Sequence, residues 1–218
     1  MAAAGLGLLV SVSAWVWFGW LPNWRPALRL GERYGIDVSA HQGAIDWDRV
    51  AHDNISFAYI KATEGGDFVD ARFAVNWAAA RRAGVTVGAY HFFSLCTAGD
   101  VQARNFLATA PPDDGAMPPA VDLELAGNCD NRPDPGAVRH DLTSFLTIVE
   151  ASWRENTVLY VGDDFAQRYP LGAEPGRPLW ERRILRRPGG NDWTIWQVDG
   201  FAHIAGVSGR VDLDILRS

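Results

Sequence analysis

Strand-like and helix-like stretches alternate five times along this 218-residue chain, and the alternation then stops. Short apolar runs rich in β-branched and aromatic residues stand at 35–39, 56–63, 86–93, 120–125 and 158–161. Helical signals separate them. Asp46 caps a short helix before Trp47, and an alanine-rich helix over 70–83 is stopped by Gly84. A third helix over 99–109 runs into Pro111-Pro112, and Pro135 opens a long one reaching about residue 155. Beyond residue 161 the chain reads as three further strands, 179–185, 193–198 and 210–215, joined without long helices. Regular β-α alternation predicts a parallel sheet, and eight strands are enough to close one into a barrel. The expected fold class is α/β: an irregular TIM-like barrel of about eight strands and five helices, (β/α)5(β)3.

The strands carry an unusual load on one face. In Ala120-Val121-Asp122-Leu123-Glu124-Leu125, the apolar residues alternate with two carboxylates. Gly35-Ile36-Asp37-Val38-Ser39 and Arg210-Val211-Asp212-Leu213-Asp214 repeat the pattern, and Tyr59-Ile60-Lys61-Ala62-Thr63-Glu64 ends in a mixed polar set. Burying carboxylates together is costly, so the pattern points to chemistry. In a barrel of this kind reactive groups gather at the C-terminal ends of the strands. Asp37, Lys61, Glu64, Tyr90, His91, Asp122, Glu124 and Asp212 all fall at or near such ends. Asp122 and Glu124, two residues apart on one face, repel, and one of them should hold its proton to higher pH. A carboxyl that is protonated near neutrality can act as a general acid, as glycosidic hydrolysis requires. Ten tryptophans and strand-end aromatics such as Tyr160 and Trp196 suit a polysaccharide cleft, whereas Phe92, Phe93 and Trp193 read as core. His41 and His91 lack a compact ligand motif around them, so no metal is expected.

Net charge is −6, and the one basic patch worth weighing is Arg182-Arg183 with Arg186-Arg187. These read as a solvated loop face, and nucleic-acid binding is not expected. Lys61 is the single lysine among 20 basic residues. Residues 2–22 contain no charge and are long enough to span a bilayer, with Trp15, Trp17, Trp20 and Trp24 gathered at their far end. The domain boundaries follow: 1–24 as a membrane anchor or signal segment, 25–34 as a linker and 35–218 as the barrel. An exported chain favours a Cys96–Cys129 disulfide over two reduced thiols, at a gain of roughly 3–4 kcal/mol on the chain-entropy model.

Six ordered blocks carry a resemblance. They are Gly35-Ile36-Asp37-Val38-Ser39 with His41-Gln42-Gly43 and Ile45-Asp46-Trp47; Phe57-Ala58-Tyr59-Ile60-Lys61-Ala62-Thr63-Glu64-Gly65 with Phe68 and Asp70; Gly88-Ala89-Tyr90-His91-Phe92; Asp122-Leu123-Glu124; Trp196-Gln197; and Gly209-Arg210-Val211-Asp212-Leu213-Asp214. Over about 35–216 the chain resembles glycoside hydrolase family 25 lysozymes, the Chalaropsis-type N-acetylmuramidases. The resemblance implies cleavage of the β-1,4 bond between N-acetylmuramic acid and N-acetylglucosamine in peptidoglycan, without a cofactor. It implies Glu124 as general acid/base, Asp122 as its assistant, and Asp37 and Asp212 as the rest of an acidic floor. Lys61, Glu64, Tyr90, His91, Tyr160, Trp196, Gln197 and Asp214 are then expected to bind substrate. A chitinase-like glycosidase and an inactive glycan-binding barrel are the alternatives. The expected setting is the cell envelope, membrane-anchored or secreted, with a monomer acting on glycan strands. One stretch departs from the family: Leu179-Trp180-Glu181-Arg182-Arg183 stands where many members have a Trp followed by small residues and a Tyr.

Overall fold

The computed structural model describes residues 19–171, 176–190 and 192–217. Nine strands and five α-helices appear in the order β1 (Glu32–Val38), α1 (Trp47–His52), β2 (Ile55–Glu64), β3 (Phe68–Val69), α2 (Phe73–Arg82), β4 (Thr86–Phe92), α3 (Gly99–Thr109), β5 (Ala120–Leu123), α4 (Pro135–Trp153), β6 (Val158–Val161), α5 (Asp163–Arg168), β7 (Leu179–Arg182), β8 (Trp193–Ala202) and β9 (Val211–Arg217). The sheet runs β1-β9-β8-β7-β6-β5-β4-β2, and a β1–β2 pairing closes it into an eight-stranded barrel. The two-residue β3 only folds back on the end of β2. Pairing is parallel from β1 through β2, β4, β5, β6 and β7 to β8, whereas β9 is antiparallel to both β8 and β1. The chain is therefore an irregular α/β TIM-like barrel. Antiparallel neighbours need no crossover helix, which accounts for the direct β8–β9 connection, whereas the parallel β7–β8 crossover is made without a helix among the described residues.

Local signals set the helices. The Asp46 carboxylate accepts from the Arg49 N–H at 3.2 Å and starts α1. Asp134 caps α4 through the Gly136 N–H at 2.8 Å, Pro135 takes the first turn, and Arg154 ends the helix at φ +59°. Val138, Leu142, Phe145, Leu146, Val149 and Trp153 form its buried stripe, spaced three and four residues apart. Each such side chain contributes roughly 1.5–3 kcal/mol by leaving water. α5 follows β6 directly and carries no long apolar pattern by which it could be foreseen.

Two cores result from strand alternation. Outward residues such as Ile36, Ala58, Ile60, Val87, Ala89, Val121 and Leu123 pack beneath the helices. Inward residues Phe57, Tyr59, Met117, Ala120, Val158, Trp180 and Ile195 fill the barrel itself. The filling is tight. A Cβ at Gly35 would lie 2.3 Å from the Phe57 ring, and one at Gly88 would lie 2.4 Å from the Tyr59 ring. These two glycines are thus required by the rings that occupy the barrel axis.

The stretch expected as a linker, 25–34, is docked on the barrel instead. Arg25 pairs with Asp53 at 2.7 Å, the Tyr34 hydroxyl donates to the Pro26 carbonyl at 2.5 Å, and Trp24 and Leu28 pack on the outer core. The expected membrane or signal segment lies mostly in residues 1–18, outside the described residues. Among the described residues no helix is long and apolar enough to cross a membrane.

Candidate active site

The inward positions one step above the ring-filled layer all carry polar side chains. Asp37, Tyr90, Asp122, Tyr160, Arg182, Gln197 and Asp212 line a cavity of about 220 Å³ at the C-terminal end of the parallel strands. Glu124, just past the end of β5, joins them, and Trp180 closes one side. Strand parity explains the convergence. Asp37 and Asp122 each follow an inward residue by two, and Asp212, on the antiparallel β9, precedes inward Asp214 by two, so all three face the same interior. The four acids that the strand pattern singles out therefore meet in one pocket.

A hydrogen-bond chain holds this pocket in shape. The Trp180 indole N–H donates to Asp214 Oδ1 at 3.0 Å. The Asp214 carboxylate lies beneath the floor, and its charge acts on Asp37. Gln197 Nε2 donates to Asp37 Oδ2 at 2.9 Å, and the Tyr160 hydroxyl donates to Gln197 Oε1 at 3.1 Å. The same hydroxyl hydrogen-bonds Glu124. Asp122 Oδ1, at the cavity, and Asp214 Oδ2, below it, are buried and have no hydrogen-bond partner among the described residues.

Burial raises the pKa of every acid here. Asp37 and Asp214 lie well above the usual carboxylate range, first because they are desolvated and then because each faces a neighbouring carboxylate. Asp122 is raised by burial and by the charges of Glu124 and Asp37, and Lys61 opposes this. Asp212 is pushed up to about 8 by burial and by Asp37. Glu124 is also raised by burial, while the Tyr160 hydrogen bond and the Arg182 charge hold it down. The site is thus an acidic cup able to keep protons at neutral pH.

The Glu124 backbone is pinned from outside. Asn128 Nδ2 donates to the carbonyls of Phe93 (2.8 Å) and Glu124 (2.9 Å), and its Oδ1 accepts from the Leu95 N–H at 2.9 Å. The next residue, Cys129, is joined to Cys96 in a disulfide. The expected bridge thus ties the loop after β4 to the loop after β5, beside the acid.

Several expected substrate-binding residues sit elsewhere. His91 faces outward, fully buried, with Nε2 on Gln102 Oε1 (3.0 Å), Nδ1 on the Thr63 hydroxyl (2.7 Å) and its ring stacked on Phe145 at 4.8 Å. Trp196 also faces outward, 1% exposed, and its indole N–H donates to the Arg183 carbonyl. Both are structural because their strand neighbours, Tyr90 and Gln197, take the inward positions. Asp214 is below the floor and fully buried. Lys61 pairs with Glu64 at 2.7 Å beside the cavity, with its ammonium over the Phe92 ring at 4.9 Å, and neither residue lines the cavity. The arginine cluster is no uniform solvated face. Arg187 pairs with the buried Glu32 and covers Trp196, and Arg182 lines the cavity. Trp180, Arg182 and Asn128 were not expected at the site. The alternation of 179–182 carries the signal for the first two, since Trp180 and Arg182 share a face.

Comparison with known proteins agrees with this geometry. The model of the glycosyl hydrolases family 25 matches residues 36–207. Over 209 residues the chain is 35% identical to the uncharacterized protein YegX of Escherichia coli, covering 91% of this chain and 75% of that one. It is 32% identical to lysozyme M1 of Streptomyces globisporus over 82% of this chain and 65% of the lysozyme. Among solved structures, a family 25 glycosyl hydrolase from Bacillus anthracis superposes with a TM-score of 0.80 at 34% identity, covering 88% of this chain and 92% of that one. The chain belongs to glycosyl hydrolases family 25, and it is a glycoside hydrolase.

Proposed function

We propose that this family 25 glycosidase is a muramidase, hydrolysing the β-1,4 bond between N-acetylmuramic acid and N-acetylglucosamine in peptidoglycan. Its similarity to lysozyme M1 supports the substrate. The observation that carries the reading is Glu124, half-buried at the pocket with a raised pKa and a hydroxyl partner. A carboxyl of that kind keeps its proton until it is needed.

The steps follow from the hydrogen-bond chain. Protonated Glu124 donates to the Tyr160 oxygen while Tyr160 donates to Gln197. As the glycosidic C–O bond breaks, Glu124 delivers its proton to the bridging oxygen. The Tyr160 proton then turns from Gln197 to the new carboxylate, because one hydroxyl proton serves one acceptor at a time. The unpartnered Oδ1 of Asp122 accepts the N–H of the substrate's acetamido group, and the carboxylate stabilises positive charge developing at the anomeric carbon. Asp37 and Asp212 hold the floor of the cup. Water then adds to that carbon and gives a proton to Glu124, which restores the acid. The Cys96–Cys129 bridge supports work in an oxidising compartment such as the cell envelope or beyond it. A membrane tether through residues 1–24 belongs to the same proposal.

Clearing of purified cell-wall suspensions tests the assignment. The native chain is expected to lower turbidity, and Glu124→Gln to lose at least about 10³-fold of the rate while keeping its fold by circular dichroism. Equal clearing by the two would refute it.

A further inference from the structure

Among the described residues, Arg182 is the one cation lining an otherwise acidic and neutral cup. It stands exposed on the wall, at the register position opposite Gln197. Its charge reaches the site, for it lowers the pKa of both Glu124 and Asp212. Yet it makes no ion pair or hydrogen bond with them among the described residues. Three of the acids have other partners. Glu124 takes Tyr160, Asp37 takes Gln197 and Asp214 takes Trp180. Two neighbouring arginines are engaged, Arg183 on Glu181 and Arg187 on Glu32. A guanidinium presents five donors in a fixed fork that matches a carboxylate. Here that fork is offered to the space a glycan occupies, next to the group that protonates the leaving oxygen.

We propose that Arg182 reads a carboxylate on the bound glycan, namely the free lactyl carboxylate of a muramic acid residue that carries no stem peptide. This deepens the muramidase reading and rests on it. Attachment of a stem peptide turns the lactyl carboxylate into a neutral amide, which offers no charge to the fork. The enzyme therefore favours strands from which the stems have been removed. The class of reaction supplying its best substrate is hydrolysis of the amide between the lactyl group and the peptide. A charge-assisted bidentate contact supports a preference of about 10- to 100-fold.

The test compares three glycans of equal length. One is stripped of stem peptides, one is stripped and then converted to lactyl amides with carbodiimide and ammonia, and one bears intact stems. The native chain is expected to show about 10-fold or higher kcat/KM on the stripped strand than on either other, mainly through KM. Arg182→Gln should bring the ratios close to one, and Arg182→Lys should leave them intermediate. Calorimetric affinities of the stripped and amidated strands for the Glu124→Gln chain give the same ratio without turnover, and a second substitution at Arg182 should abolish it. Native ratios near one, or ratios unchanged by Arg182→Gln, would overturn the proposal. A preference for stem-bearing strands that Arg182→Gln removes would move the anion to the peptide and also overturn it. If the native chain cleaves none of the three, the muramidase reading fails instead, and the affinity ratio still decides the role of Arg182.

Discussion

On the outer face of β4, the His91 ring is fully enclosed and both its nitrogens are bonded. On the inner face of the neighbouring strand β5, Asp122 is partly enclosed, and one of its oxygens is bonded to nothing among the described residues. The residues are almost side by side in register, since Phe92 pairs with Asp122. The outer group is satisfied to the last donor. Gln102, which receives the imidazole N–H, also takes the Ser94 N–H at 2.8 Å and donates to the Ser94 and Thr97 carbonyls. Such a knot fixes α3 against the wall and leaves nothing to offer a ligand. The inner groups are crowded with like charge, short of partners and open to a cavity. Buried polarity alone does not mark an active site. An unsatisfied polar atom points to one only where it borders the cavity, as Asp122 Oδ1 does and the equally unpartnered atoms of Asn76, Trp153 and Thr157 do not.

Exchanging the two kinds of group should separate activity from stability. Asp122→Asn keeps the shape but loses the charge and the acceptor pattern, so kcat on cell-wall glycan is expected to fall about 10²–10³-fold, or roughly 3–4 kcal/mol of barrier. Its thermal midpoint should hold or rise, since a crowded carboxylate has been removed. His91→Ala should do the reverse. It opens a cavity and strands Thr63 and Gln102, at a cost of about 2–4 kcal/mol by urea titration, with kcat within about threefold of native below the transition. A large kcat loss in a folded His91→Ala chain would erase the distinction.

Acid–base titration gives a second, smaller contrast with opposite signs. Asp212 is pushed up to about 8, far above the ordinary value for an aspartate of about 3.9. Between those values the folded chain holds a proton that the unfolded chain has released, so this group's stabilisation is lost as pH rises toward 8. Asp212→Asn should therefore gain stability over the native chain on going from pH 5 to pH 8, by roughly 2–4 kcal/mol in paired denaturation curves. His91 is pushed down to about 4 by burial. There the unfolded chain takes the proton first, and stability is lost as pH falls through the window from about 6.5 to 4. His91→Gln should flatten that acid side alone.

The smallest expected effect is a displacement of the pH profile. The Tyr160 hydrogen bond favours ionised Glu124. Activity needs this acid protonated, so it falls as pH rises through the Glu124 pKa. Tyr160→Phe removes the bond, and the alkaline limb of kcat/KM should move to higher pH. A limb that stays put, or moves down, would detach Tyr160 from the acid.

The convergence of Asp37, Asp122, Glu124 and Asp212 was legible because alternation along a strand is local, and one barrel turns local alternation into a shared interior. The same parity could have been pushed further. Tyr90 and His91 are adjacent, as are Trp196 and Gln197, so no strand can aim both members of either pair at one cavity. Placing all four at the substrate neglected this. Arg182 was hidden by its neighbours: a run of arginines reads as a solvated surface, although Glu181 and Arg183 point away while Trp180 and Arg182 point in. Asn128 was illegible for another reason. Its role depends on two loops meeting, and no spacing along the chain encodes that meeting. The docking of 25–34 was missed likewise, since prolines and a glycine mark the lack of regular structure, not the lack of contacts.

Phe57 and Tyr59, seated over Gly35 and Gly88, stopper the barrel below the acids. Traffic is consequently one-ended. Sugar, attacking water and both cut ends share a single doorway, so a polymer cannot be threaded through like a rope through a ring. It has to drape over the rim, dip one linkage into the cup, and lift off or sideslip before the next cut.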